Sequence, residues 1–591
     1  MKLREMGRKT RFGYLIGLIS VLFAPAALGL DPSQRVENFR LLDHREGSQE
    51  LYYFGDAKAI VLMSHRAECA AAGGDVQQFA ELRRRFASAG VEFFMINAAD
   101  DRDVIRADAQ RQGIQAPVLM DSAQIISESM ALTTAGEMLL INPDDWSLVY
   151  RGNAEVGAQA LAQMLAGEMP AVQRAPVAGC EVTLAGMQQR EQHKQISYAN
   201  TIAPILQDNC VTCHREGGIG PWAMNEYNMV RGFAPMIREV VRTQRMPPWH
   251  ADPHYGEFKN DRSLTRAETA ALVHWVEAGA PRGEGPDPLA LARQQYPVWS
   301  LGEPDVIVEI PAEEVPATGV VDYKYKFVEN PLTADAWVRA TEIIPGDRSV
   351  LHHVITRFGT LETEGPRAGK RLKRSGTGSL GGYVPGAVAD VMPADTGTFL
   401  PADAAIEFQM HYTTAGKAAT DVSRLGIYLY DKPPTHKMNG LVFINPRIRI
   451  PAGADNHMET NERTFDKDVL VYSYLPHAHY RGKAAEFVAH YPDGSEEKLL
   501  NVPRYDFNWQ TTYELSQPRV LPAGTKVVYR SWWDNSARNP ANPDPSREVP
   551  WGQQSWDEML FGVMSYRELT PEESAEFAAN RTIPVDTVGG E

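Results

Sequence analysis

From about residue 300 to the C-terminus, apolar residues recur at every second position in one short run after another. DVIVEIP, VDYKYKFV, AAIEFQMHY, KDVLVYSY and TKVVYRSWW all alternate, and Pro, Gly, Asn and Asp break the chain between them. Period two suits a half-buried strand, because successive side chains point to opposite faces. The stretch therefore reads as all-β, with room for two β-sandwiches, divided here as 300–435 and 436–591. A chain of 591 residues does not close on one core, so the remainder must form further domains.

Upstream the period changes. AIVLMS reads as a buried strand, DVQQFAELRRRFASAG as an amphipathic helix stopped by Gly90, and VEFFMINA as a second strand, which together make a βαβ unit. APVLMDS places Pro117 before a third strand, and EMLLINPDDWSLVYRG reads as a hairpin turning at NPDD. On this pattern residues 30–170 resemble the α/β thioredoxin-like fold of redoxins and peroxiredoxins, with Pro117 where that fold carries a cis-proline. Residues 171–195 read as a polar, Pro-containing linker and 196–284 as mostly helical. The last helix there is marked by the T-x-x-E capping box of Thr265 and Glu268 and is stopped by Gly279 and Pro281. A second linker spans 285–299.

The N-terminus has the form of an export signal. Lys2, Arg4, Arg8, Lys9 and Arg11 precede an apolar run over 12–23, and the small residues of APAALG place cleavage near Gly29, making 1–29 a signal peptide. A single membrane anchor is the alternative; Pro25 and the small-residue tail favour cleavage. The expectation is a periplasmic or secreted protein with no stable membrane insertion after cleavage. A net charge of -16 and no long basic run argue against nucleic acid as a partner. The four cysteines, at 69, 180, 210 and 213, are too few for a disulfide scaffold.

Two of them have another use. Cys210-Val211-Thr212-Cys213-His214 is C-x-x-C-H, the spacing at which two thiols form thioethers to haem vinyl groups while the adjacent histidine lies under the iron. The helical YANTIAPILQDN before it and the capped helix after it fit an all-α cytochrome c domain, and export is what covalent haem attachment requires. A thioredoxin-type thiol pair or half a zinc site are the alternatives, but no second CxxC supplies the missing zinc ligands. For the sixth iron position RMPPWHADP offers Met246 and His250. The segment resembles the Met-bearing loop of class I cytochromes c, which favours Met246.

Histidines gather in the β region. His477 and His479 lie two apart at the end of an alternating strand, so both project from one face. Leu351-His352-His353-Val354 holds an adjacent pair, His411 ends the strand AAIEFQ, and Met559 sits in Asp557-Glu558-Met559 before another apolar run. The order HH, HY, HxHxxG, DEM resembles the type II copper, ascorbate-dependent monooxygenases, which include the peptidylglycine and dopamine hydroxylases. The resemblance implies two jelly-roll-like sandwich subdomains and two mononuclear copper ions. It assigns the first, electron-transferring copper to His352, His353 and His411. It assigns the second, catalytic copper, where O₂ and substrate react, to His477, His479 and Met559. Neighbouring His352 and His353 point oppositely on a regular strand, so binding one ion with both requires a strand end or a bulge.

The resemblance further implies hydroxylation of a C–H bond by O₂ with two external electrons; a haem in the same chain, changing by one electron at a time, is expected to replace or supplement ascorbate as the donor. Leu475, Phe561 and Val563 stand where the peptide-amidating members grip a carboxylate. A neutral or apolar small molecule is therefore expected as substrate. In the thioredoxin-like region Cys69 follows the strand AIVLMS near a helix start, where a peroxidatic thiol would lie. HRAECAAAGG lacks CxxC and lacks Pro after Cys69, so a disulfide with Cys180 or an inert thiol is favoured over peroxidase chemistry. Two rival readings remain at this level: a haem and copper electron-transfer protein without oxygenase activity, and a haem-linked thiol peroxidase.

Overall fold

The computed structural model describes residues 30–291, 298–364, 369, 371–373 and 378–580. The expected signal peptide at 1–29 lies outside the described residues. The N-terminal domain is a thioredoxin-like α/β domain. Its five-stranded sheet runs in the order Val118–Met120, Val91–Asn97, Ala59–His65, Met138–Ile141, Leu148–Gly152; the first three strands are parallel and the last two antiparallel. Helices cover both faces, which is why Ala59–His65 is a continuous apolar run buried at every position. Helices Gly73–Phe86 and Ala154–Leu165 pack together on one face. The peptide bond before Pro117 is trans; the cis bond among the described residues is at Met246–Pro247.

The next segment is helical. It contains Ala203–Asn209, Tyr227–Gly232, Ala234–Arg242 and Arg266–Glu277, the last opened by the reciprocal capping box of Thr265 and Glu268. Its core, around the fully buried Trp275, is continuous with Phe39, Ile60 and Leu62 of the thioredoxin-like domain. Across that junction His274 Nε2 lies 2.6 Å from Glu128 Oε2, both groups buried. The stretch read as a polar, Pro-containing linker carries a helix, Ala185–His193, which packs on Arg266–Glu277. Polar composition hid it, since Ala185–His193 gains its support from tertiary contacts rather than from an apolar stripe of its own.

The remainder is β-rich. In its first half the sheet Lys324–Glu329, Ala405–Tyr412, Leu351–Gly359, Gly378–Tyr383 faces a sheet built on Ala336–Ile344 and Arg424–Leu429, with Val338, Phe358, Phe408 and Ile427 between them. In the second half Asn439–Ile444, Phe561–Glu568, Val469–His477, Tyr513–Leu521 form one sheet and His457–Thr464, Lys526–Trp533, Gly482–His490, Glu496–Val502 the other. Phe443, Phe487 and Tyr529 fill the space between those two sheets. His436–Lys437, just past the 435/436 division, pairs with Thr396–Leu400 of the first half and also contacts Phe561–Glu568 of the second.

Candidate metal centre

The strand Leu351–Gly359 carries His352 and His353, and its partner Ala405–Tyr412 carries His411 directly opposite His353. The register slips between Leu351 and His353. That irregularity is what lets two consecutive histidines turn to one side, the condition the sequence imposed. His353 Nδ1 lies 3.0 Å from His352 Nδ1 and 3.2 Å from His411 Nδ1. One ligating nitrogen from each of the three falls within 4.8 Å of the others.

All three rings are buried, and burial drives them toward the neutral form: His352 is pushed down to about 4, His411 to about 2, and His353 well below the ordinary histidine range. Neutral imidazole is the ligating form. The Nε2 atoms of His352 and His353 are buried without a partner, while their Nδ1 atoms crowd together. Lone pairs aimed at one point are stabilised by a cation there, so this set fits a copper ion.

The second cluster is built at the end of Val469–His477. His477 closes the strand and His479 lies just beyond it. His477 Nδ1 meets Gln510 Oε1 at 2.8 Å and His479 Nδ1 meets the Asp557 carbonyl at 3.2 Å. Each Nδ1 therefore carries the proton that it donates, and each Nε2 is left as an acceptor; that of His479 is buried with no partner. Burial pushes His477 down to about 4 and His479 to about 3. Met559 lies two residues before Phe561, which pairs with His477 across the sheet. The Glu558 carboxylate locks that segment in place. It accepts from the backbone N–H of His479 at 2.8 Å and of Arg481 at 2.6 Å, and from Trp533 Nε1 at 3.0 Å.

The two clusters meet. The rings of His353 and His477 are 6.3 Å apart, and Phe507 lies against His352 at 4.9 Å, His411 at 5.7 Å and His479 at 6.1 Å. The loop that leads to Met559 also spans both, for Ser555 Oγ reaches His411 Nε2 at 3.2 Å. Beside His477, the paired residues Leu475 and Val563, with Phe561, form a half-buried apolar strip on one sheet face. Gln510, Ser555, Phe507 and Glu558 were not singled out from sequence. Only Glu558 carried a signal, as the neighbour of Met559 in DEM.

In the helical segment Cys210 and Cys213 are free thiols. Burial pushes Cys210 up to about 12. His214 Nδ1 donates to the Trp222 carbonyl at 3.1 Å, so its Nε2 remains available. Gly220 closes over the ring; a Cβ there would lie 2.7 Å from Nδ1. Two unpaired thiols and an imidazole fixed through Nδ1 fit thioether attachment and axial ligation of haem. Met246 is half-buried on the following loop. That loop packs onto the second β half, with Trp249 5.0 Å from Tyr513, and burial, with the charges of Arg504 and Arg40, holds His250 well below the ordinary histidine range.

Cys69 and Cys180 form a disulfide that closes 111 residues. Cys69 is therefore oxidised, one of the two states the sequence favoured, and it can act as a nucleophile only after its bond to Cys180 is reduced. Replacing Cys69 with Ser should lower unfolding stability by about 2–5 kcal/mol, the usual cost of losing such a link. Denaturant melts of wild type and variant, with copper and haem content held equal, measure it.

Residues 32–153 match the model of the AhpC/TSA family. The N-terminal domain is a redoxin. Some solved structures are similar to about a quarter of the chain. A hypothetical protein from Sinorhizobium meliloti 1021 shares 19% identity, covering 27% of this chain and 97% of its own, with a TM-score of 0.24. Peroxidoxin BcpB from Mycobacterium tuberculosis shares 17%, covering 23% and 95%, with a TM-score of 0.20. A putative thiol:disulfide interchange protein DsbE from Chlorobium tepidum shares 12%, covering 24% and 98%, with a TM-score of 0.22. None of the curated proteins matches the chain. A redoxin domain is of oxidoreductase type, and the helical and β regions stand on their own residues.

Proposed function

We propose that this chain is an exported copper monooxygenase that hydroxylates a C–H bond of a neutral or apolar small molecule with O₂, its electrons reaching two copper sites by way of a covalently held haem c. The observation that carries the reading is the convergence of five buried histidines from both β halves, with Nε2 of His352, His353 and His479 buried and unpartnered. Their order along the chain, ending in Met559, is that of the type II copper monooxygenases.

Copper held by His352, His353 and His411, and by His477, His479 and Met559, would supply one-electron storage and activation of O₂. The chain's own residues do the rest. Gln510 and the Asp557 carbonyl fix the tautomers of His477 and His479 so that Nε2 faces the ion. Leu475, Val563 and Phe561 offer an apolar wall beside His477, which suits an uncharged substrate and keeps water from it. Cys210 and Cys213 would anchor the haem and His214 would ligate its iron, a centre that changes by one electron at a time.

The test is metal analysis joined to gas uptake. The purified protein should take up two copper ions per chain beside one haem, and the reduced form should consume O₂ when given an apolar substrate. Two bound coppers with no O₂ consumption across a panel of such substrates would favour the electron-transfer reading instead.

A further inference from the structure

Within the thioether motif Thr212 is exposed and Cys210 and Cys213 are half-buried. Its second cysteine is seated on the first β half, at the turn that follows the strand Gly378–Tyr383. A Cβ on Gly386 would lie 3.1 Å from Cys213 Sγ. Gly386 has φ of 80°, a left-handed conformation that favours glycine, so the backbone of the turn approaches the sulfur as no other residue would allow. Arg262 of the helical segment fastens the turn beside the sulfur: its Nη1 is also 3.1 Å from where a Cβ on Gly386 would lie, and its Nη2 donates to the Gly386 carbonyl at 3.0 Å. The turn itself is closed by Ala387 N donating to the Val384 carbonyl at 2.9 Å.

The path inward from that turn is short. Tyr383, buried, ends its strand opposite Val354, the residue after His353. The contact therefore runs from the haem-attachment sulfur through Gly386 and Tyr383 to the strand of His352 and His353. By contrast, the loop with Met246 and His250 leaves the helical segment toward the second β half, among Trp249, Phe258 and Tyr513.

We propose that the 383–387 turn, held by Arg262, is a positioning element that seats the haem-bearing motif against the strand of His352 and His353, the cluster to which the resemblance assigns electron transfer. The proposal rests on the haem and copper reading above. The step is a plain one-electron exchange: a ferrous haem becomes ferric as one cupric ion becomes cuprous. No proton or leaving group is involved, and an external one-electron donor restores the haem.

The experiment uses the full chain loaded with haem and copper, anaerobic, with a flash-generated one-electron reductant. Haem absorbance and the Cu(II) EPR signal are followed together. In the wild type the reduced haem should reoxidise as Cu(II) is lost. Gly386→Val, which forces the seam apart, and Arg262→Ala, which leaves glycine in place and unfastens the turn, should slow that phase by about tenfold or more, the scale that an ångström of misplacement carries. Haem spectrum and copper content should be unchanged in the Arg262→Ala protein, which keeps the test open should Gly386→Val not fold. His411→Ala should abolish the fast phase, whereas His479→Ala should retain it. A wild type that transfers, with both seam variants transferring at the same rate, overturns this inference and leaves the relay standing. A fast phase surviving in His411→Ala also overturns it. A fully loaded wild type that shows no transfer overturns the relay reading itself.

Discussion

Replacing His353 with Ala should empty the first histidine cluster and disturb the second. His353 is the hub: its Nδ1 touches those of both His352 and His411, and its ring lies 6.3 Å from that of His477. Losing an outer-shell partner of a metal ligand costs roughly 10–100-fold in metal affinity. Losing a ligand at the centre of the set should exceed that, and the purified variant is expected to hold one copper ion rather than two. A second consequence follows from the contact between clusters. Two Cu(II) ions gripped by rings this close should interact magnetically in the wild type, and the variant should show the plain signal of one isolated ion. EPR of the copper-loaded proteins reads both outcomes in one measurement. A variant that still binds two coppers and keeps the wild-type lineshape would remove His353 from the site.

The histidine clusters were legible because several candidate ligands in short motifs leave a pattern in the sequence. His477 and His479 could be placed on one face from period two alone. The pairing of His352 with His353 could not, since a regular strand separates neighbours; the structure resolves this with a register slip that no residue in LHHV announces. Contacts made late in the chain were also out of reach. Gln510 reaches His477 from 33 residues away, and Ser555 reaches His411 from 144. Neither separation has a period to read. In the α/β domain the opposite held, because buried strands and amphipathic helices are local patterns and the βαβ order follows from them. Pro117 shows the limit of analogy there, as a position borrowed from a fold family did not bring the peptide geometry with it. The seat of Cys213 on Gly386 joins two domains through a single glycine, and glycine is common in every loop of this chain.

Glu558→Ala should be the most destabilising single change outside the metal ligands. The carboxylate is fully buried and is the acceptor for His479 N, Arg481 N and Trp533 Nε1 at once. Its removal strands three buried donors and leaves the buried Arg481 without its carboxylate neighbour, a loss of about 3–5 kcal/mol by the usual cost of breaking a buried charged network. Because Met559 is the next residue, the same change should weaken the second copper site while leaving the first filled. Glu558→Gln separates charge from shape. Burial pushes the Glu558 carboxyl up to about 7, against the pull of its donors. A group whose folded value lies above its unfolded one stabilises fully below the unfolded value, and that stabilisation is lost as pH rises through the folded one. Wild-type stability should therefore fall from about pH 4.5 toward pH 7 on this account. The Gln variant, which keeps one acceptor oxygen and cannot ionise, should lack that part of the slope. Denaturant melts of the three proteins across this pH range decide it: parallel curves for wild type and Glu558→Gln would mean that Glu558 stays ionised throughout, with its N–H donors outweighing the cost of burial.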